Sequence, residues 1–214
     1  MFDIIAMGET LIDFTPAGCG GNGSPLFAQN PGGAPANVLA QAARLGGRTA
    51  FIGMVGRDGF GTFLRHAMER SGIDTADLKE TEEAHTTLAF VQLDAQGDRS
   101  FSFYRKPGAD VLLRPEDVDR ERIRNTRIFH FGSLSLTDEP VRSATHLAVR
   151  TAREAGCIVS YDPNYRPPLW PSEAEAKAQM ASMIPYADVL KVSEEEMALL
   201  TGDKDPETAT KALA

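Results

Sequence analysis

Short apolar runs alternate with amphipathic stretches along most of the chain. Such runs, when bounded by glycine, proline or polar residues, are typical of buried strands, and they occur at FDIIAMGE, TAFIGMVG, TRIFHFGS, GCIVSYDP and ADVLKVS. Helical spacing of apolar residues occupies the intervening stretches 35–45, 60–71, 139–155 and 173–184. This alternation predicts an α/β fold with a mostly parallel central sheet and helices on both of its faces.

The segment TTLAFVQLDAQGDRSFSFYRK departs from this alternation. It contains two stretches of period two around the turn DAQGD, which predicts a β-hairpin. The alternating positions are Leu88, Phe90 and Gln92 in the first stretch and Phe101, Phe103 and Arg105 in the second. TLIDFTP near the start is a further candidate strand. We expect lid strands from about 9–30 and 85–106 to form a small antiparallel sheet, with a cleft between it and the main body.

The loop in NPGGAPANVLAQAARLGG places Gly32 and Gly33 directly before a predicted helix. A helix N-terminus carries unpaired backbone N–H groups, and glycines remove side chains that would cover them. The pattern therefore predicts that a polar ligand lies against this loop.

Composition limits the class of partner. The chain has 214 residues, 42% of them hydrophobic, and a formal net charge of -8, so we expect one large domain or one domain with an appendage. This charge argues against nucleic acid or an anionic membrane as the main partner, because both need clustered Lys and Arg. Cys19 and Cys157 match no metal-ligand spacing, and the apolar start is too short for a signal peptide or a membrane span, which predicts a cytoplasmic protein with free thiols.

General catalytic patterns are absent or out of context. GCGGNG fits the dinucleotide pattern G-x-G-x-x-G but leads into SPLFAQ rather than into a helix. The sequence contains no G-x-x-x-x-G-K-[ST] phosphate loop and no serine in a G-x-S-x-G elbow, and its histidines fall at no metal-ligand spacing. A nucleotide site would have to be built in another way.

Five motifs in order resemble the ribokinase-like (pfkB) family of carbohydrate kinases, and its fructokinase branch in particular. They are GGAPANVLAQAARLGG, FIGMVGRDGFG, FSFYRKPGAD, YDPNYRPPLWPS and LKVSEEEMALLTG. The resemblance runs from Met1 to about Gly202. It implies ATP-dependent transfer of a γ-phosphoryl group to a hydroxyl of fructose, on a ribokinase-like α/β sandwich with a small antiparallel β-sheet lid.

The resemblance also implies sugar-binding residues at the glycine loop and the first lid strand. Gly32 and Gly33 would let the backbone approach the sugar ring, and Asn37 on the first turn of the helix would hydrogen-bond its hydroxyls. Asp13 at the end of LIDF would accept hydrogen bonds from sugar hydroxyls. The alternative for Asp13 is an exposed carboxylate at the end of a strand.

Three further positions are expected to contact the sugar. Alternation places Arg105 on the side of Phe101 and Phe103, so that the guanidinium and the aromatic face would cover the sugar. Asn164 and Arg166 follow a strand at its carboxyl end, where open α/β sheets place ligands. The alternatives are a solvated arginine on an edge strand and a loop ordered by its prolines.

The segment SEEE matches the family's Asn-x-x-Glu motif, with Ser193 in place of the asparagine. The resemblance implies that Glu196 helps to hold the water shell of Mg²⁺ near the phosphates of ATP, an indirect metal role. Lys191 could meet a phosphate as a point charge. A helix cap explains SEEE equally well without a metal.

The family's catalytic aspartate lies in a Gly-Ala-Gly-Asp segment, and no such string occurs in 1–214. We therefore name no catalytic residue here, expect that aspartate beyond Ala214, and interpret 1–214 as the N-terminal part of a ribokinase-like domain that is inactive alone. Two alternatives remain: a kinase for an acidic sugar such as 2-keto-3-deoxygluconate, and a non-catalytic sugar-binding or dimerisation module. Exposed lid edges favour a homodimer through the lid sheet.

Overall fold

A computed structural model describes residues 1–93 and 99–213 of the chain. The predicted turn DAQGD occupies 94–98 and lies outside the described residues. In chain order the strands are β1 (Phe2–Met7), β2 (Leu11–Cys19), β3 (Pro25–Gly32), β4 (Thr49–Gly56), β5 (Ile73–Thr81), β6 (Leu88–Leu93), β7 (Arg99–Tyr104), β8 (Thr126–Gly132), β9 (Ile158–Asp162) and β10 (Val189–Leu190).

The four predicted helical stretches form helices that begin and end within two residues of the predicted positions. In chain order the α-helices are α1 (Ala34–Arg44), α2 (Gly59–Arg70), α3 (Arg120–Arg124), α4 (Val141–Glu154), α5 (Glu173–Met183), α6 (Glu194–Thr201) and α7 (Pro206–Leu213). Side chains cap several of them: Asp58 accepts the Gly61 N–H at 2.8 Å before α2, and Ser172 accepts the Glu175 N–H at 3.1 Å before α5. Within the described parts of the chain, no helix has the length and apolar content to cross a membrane.

The central sheet confirms the predicted α/β fold. Six strands run parallel in the order β10-β9-β8-β1-β4-β5, and each of the five predicted apolar runs forms one of them. Strand β4 is buried along its whole length. Its alternate side chains enter two apolar clusters, with Phe51 among residues of α1 and α2 and Ile52 among residues of α4 and α5. We call this sheet with its helices the body.

The second sheet, which we call the lid, has the order β3-β2-β6-β7. Its two outer pairs, β2 with β3 and β6 with β7, are antiparallel, but β2 and β6 pair in parallel. The lid is therefore a mixed sheet, whereas the sequence predicts an antiparallel one. The reason is topological, because the chain crosses the body through α1, β4, α2 and β5 between β3 and β6 and can return in the same direction.

The predicted hairpin of β6 and β7 is present, but its faces are assigned differently from the expectation. Phe101 pairs with Val91 and Phe103 with Ala89, so these aromatic side chains face away from Leu88 and Phe90. A shift of one residue in register exchanges the two faces of a strand, and alternation within each strand cannot fix that register.

Candidate functional site

A cavity of about 180 Å³ lies between the lid and the body. Lid side chains Phe101 and Phe103 line it, with their rings stacked at 6.0 Å between centroids. Most of the predicted sugar-binding residues line the same cavity, namely Asp13, Gly33, Asn37, Asn164 and Arg166. The structure thus brings together residues that are far apart in the sequence.

Asp13 lies on β2 and is half-buried at this cavity. Burial raises the pKa of its carboxyl group, and the positive charge of Arg166 partly offsets that effect. Gly32 on the paired strand leaves room for Asp13, because a Cβ at Gly32 would lie 2.2 Å from Oδ2 of Asp13. The arrangement presents a carboxylate that can accept hydrogen bonds from hydroxyl groups, beside a cation.

Gly33 has a φ of +109°, a conformation that favours glycine. A Cβ at this position would lie 2.4 Å from the backbone oxygen of Glu9. The two glycines therefore accommodate neighbouring protein groups, Asp13 and the Glu9 backbone, where the sequence analysis expects close approach to a ligand. Only Gly33 of the pair lines the cavity, whereas Gly32 lines a separate one of about 50 Å³.

The amide side chains at the cavity come from a helix and from a loop. Asn37 is exposed on the first turn of α1, where its N–H donates to Gly33 O at 3.0 Å. Asn164 has a φ of +49°, which asparagine tolerates better than most residues, and its N–H donates to Oδ1 of Asp162 at 3.1 Å. These contacts fix the backbone on two sides of the cavity.

Arg105 lies elsewhere than the sequence predicts. Its side chain is 3% exposed, and its guanidinium donates to Asp110, to the Thr137 hydroxyl at 2.9 Å and to Leu134 O at 2.8 Å. The alternation argument fails here because β7 ends at Tyr104, before Arg105. Arg105 therefore ties the end of the lid to the body and does not line this cavity, and its expected contact with the sugar stays a prediction.

Glu196 and Lys191 are the two residues that the sequence analysis expects near the nucleotide. Glu196 caps α6 as predicted, with Oε2 accepting the Ser193 N–H at 2.7 Å, while Oε1 accepts the Tyr165 N–H at 2.6 Å. It therefore also anchors the loop that carries Asn164. Lys191 pairs with Asp162 at 3.2 Å and is largely exposed. No group of three His, Cys, Asp or Glu side chains suited to a metal occurs among 1–93 and 99–213.

Glu9 is a cavity residue that the sequence analysis missed. It follows Gly8 at the carboxyl end of β1, lines the cavity and is 3% exposed. The sequence does carry a sign of this site. In the string IIAMGET an ionisable residue follows an apolar strand at its carboxyl end, where open α/β sheets place ligands.

An α/β body with a small β-sheet lid over a cavity lined by polar side chains is the architecture that the sequence analysis expects for a carbohydrate kinase. Residues 1–214 match the pfkB family of carbohydrate kinases, and the chain belongs to that family.

Among curated relatives, the chain is 48% identical to probable fructokinase-3 of Arabidopsis thaliana over 209 residues, which cover 97% of the chain and 61% of the relative. It thus spans less than two thirds of that protein's length. The structure superposes on fructokinase from Xylella fastidiosa with bound ATP at a TM-score of 0.89 and 39% identity, covering 100% of this chain and 65% of the other. It also resembles fructokinase from Vibrio cholerae bound to fructose, ADP and calcium ion, with a TM-score of 0.87, 35% identity and 99% and 67% coverage.

Proposed function

We propose that this chain belongs to an ATP-dependent kinase that transfers a γ-phosphoryl group to a hydroxyl of fructose. The cavity between body and lid carries the proposal, because it combines two carboxyl groups, two amides and one guanidinium beneath stacked aromatic rings. A neutral sugar offers many hydroxyl donors, which Asp13 and the amide oxygens can accept. The fructose and ATP in the Vibrio and Xylella fructokinases support the same assignment.

An acidic sugar such as 2-keto-3-deoxygluconate fits this cavity less well. Its carboxylate would need a cationic partner, and it would enter a cavity that already holds the Asp13 carboxyl group. The guanidinium of Arg105 is engaged by Asp110, Thr137 and Leu134, so the cavity presents Arg166 as its cation. The cavity therefore favours fructose.

We propose ATP and Mg²⁺ as the cofactors, with Lys191 and Glu196 on the nucleotide side. Mg²⁺ neutralises phosphate charge in phosphoryl transfer. Glu196 fits an indirect role better than direct ligation, because it is 4% exposed and both of its oxygens accept backbone N–H groups. Lys191 is held beside Asp162 at the carboxyl end of the central sheet, where it can meet a phosphate.

We also propose that the lid pairs with the lid of a second copy. The lid face opposite the cavity carries an aromatic cluster in which Phe90 contacts Phe14, Phe27 and Tyr104. Tyr104 is 64% exposed and Phe27 is 44% exposed. Apolar exposure of this kind is typical of an interaction surface.

Light scattering should give twice the monomer mass for the natural protein, and a Phe27→Ser, Tyr104→Ser variant should give the monomer mass. A double variant with the same mass as the natural protein would refute this pairing.

The test of the catalytic proposal is competition kinetics on the natural protein, that is, the protein as its gene encodes it. With ATP and Mg²⁺ present, fructose, ribose and 2-keto-3-deoxygluconate are supplied at equal concentration, and each sugar phosphate is quantified. We expect the highest kcat/KM for fructose. A higher value for the keto-deoxy acid would establish the acidic-sugar kinase, and sugar binding without any phosphate transfer would establish the non-catalytic module.

A further inference from the structure

Two carboxyl groups of the described residues line the proposed sugar cavity, and that of Glu9 is the more deeply buried, with the residue 3% exposed. Its Oε1 accepts the N–H of Ala34, the first residue of α1, at 2.9 Å. Its Oε2 is buried and has no hydrogen-bond partner among residues 1–93 and 99–213. A buried polar atom without a partner is costly, so its presence at a ligand cavity calls for a functional explanation.

The segment that carries Glu9 also supports the glycine loop. The Glu9 backbone oxygen packs against the Cα of Gly33, where a Cβ would lie 2.4 Å from it. The hydroxyl of Thr10 donates to Gly32 O at 3.2 Å. Because Gly33 O accepts the Asn37 N–H, a displacement of this loop would move Asn37 relative to the cavity. The Glu9 carboxyl group thus holds the loop and the start of α1 in one position.

The charge state of Glu9 is set by its surroundings. Arg105 and Asp110 on the body side act on it with opposite signs, and Asp13 and Arg166 line the cavity on its other side. Burial is the dominant effect and raises the pKa of Glu9 to about 7. The group therefore exchanges its proton close to neutral pH.

We propose that Glu9 is a positioning residue of the sugar site, which holds the glycine loop in its sugar-binding position when neutral and releases it when ionised. The proposal rests on the proposed sugar-kinase function. Its physical basis is that an ionised carboxylate whose buried Oε2 has no hydrogen-bond partner among the described residues must recruit water or move outwards, and either change displaces the start of α1.

The test measures the KM for fructose and kcat from pH 6 to pH 9 in the natural protein, in Glu9→Gln and in Glu9→Leu. A glutamine keeps the oxygen that accepts the Ala34 N–H and cannot ionise. In the natural protein we expect the KM for fructose to rise above pH 7 by up to about tenfold per pH unit. In Glu9→Gln we expect the KM at pH 6 to match that of the natural protein and to stay constant with pH. In Glu9→Leu we expect a KM about tenfold higher or more at every pH, because the Ala34 N–H loses its acceptor.

Glu69→Gln is the matched control. Glu69 lies on α2, where it accepts a hydrogen bond from the Thr75 hydroxyl at 3.0 Å. This variant should keep the pH profile of the natural protein. An identical KM profile in the natural protein and Glu9→Gln would overturn the proposal while leaving the kinase function intact. The absence of any saturable fructose dependence at any pH would overturn both.

Discussion

The body and the lid differ in how many faces of their strands are buried. Strand β4 of the body is buried on both faces, whereas β7 of the lid presents Phe101 and Phe103 to the cavity and Tyr104 to the opposite side. In the body an apolar residue serves stability whichever face it occupies. In the lid the face decides whether an aromatic residue lines the cavity between lid and body or the outer surface. The same residue type therefore has different consequences in the two regions.

The largest expected effect is on the stability of the body. Phe51→Ala should lower the free energy of unfolding by about 3–5 kcal/mol, because Phe51 is fully buried and its removal leaves a cavity. Phe101→Ala, at a lid position that is 37% exposed, should cost less than about 1 kcal/mol and instead raise the KM for fructose. Urea denaturation of the natural protein and both variants measures the difference. Equal losses of stability would refute the contrast.

Arg105 provides a second, comparably large test at the junction of the two regions. Arg105→Met leaves Asp110 buried without its ion pair and should lower the free energy of unfolding by about 3–5 kcal/mol. Adding Asp110→Asn should recover part of that loss. At pH 6 the KM for fructose of the single variant should change less than about threefold, because the guanidinium does not line the cavity. A much larger rise in KM would restore Arg105 as a sugar contact.

Glu9 predicts a smaller effect that depends on pH. Its pKa is raised from 4.5 to about 7 in the folded protein, so the folded state retains a proton that the unfolded state releases between these values. The stabilising contribution of Glu9 is therefore complete below pH 4.5 and is lost as pH rises to 7. The natural protein should lose about 3 kcal/mol relative to Glu9→Gln across this range. Urea denaturation at pH 4.5, 6 and 7 measures it, and a constant difference between the two proteins would contradict the assignment.

The sequence predicts the body better than the lid for physical reasons. Five body strands coincide with apolar runs. Strand β5 (IDTADLKET) lies at the edge of the sheet and carries polar residues, so the apolar pattern does not predict it. The mixed pairing of the lid depends on a crossover through the body, which a local pattern does not encode. Alternation does not predict the direction of the Arg105 side chain, because β7 ends at Tyr104.

The sequence predicts which residues come together but not the contacts among them. The motifs single out Asp13, Asn37 and Arg166, and the structure places all of them at one cavity. Glu9 was missed because its partner, the Ala34 N–H, is 25 residues away in the sequence. The need for a glycine at position 32 is likewise not evident from the sequence, because it depends on the pairing of β2 with β3 that brings Asp13 close.

The most direct test of the sugar cavity is the KM for fructose and for ATP in Asp13→Asn and Asn37→Ala of the natural protein. Asp3→Asn and Asn22→Ala are the matched controls, because Asp3 pairs with Arg48 on the surface and Asn22 accepts the Ser24 N–H in the exposed turn between β2 and β3. Each cavity variant should lose about 1–3 kcal/mol of sugar binding, roughly a 5- to 150-fold rise in the KM for fructose, with the KM for ATP within about twofold. The controls should keep both values. Unchanged fructose saturation curves in both cavity variants would show that the sugar binds elsewhere.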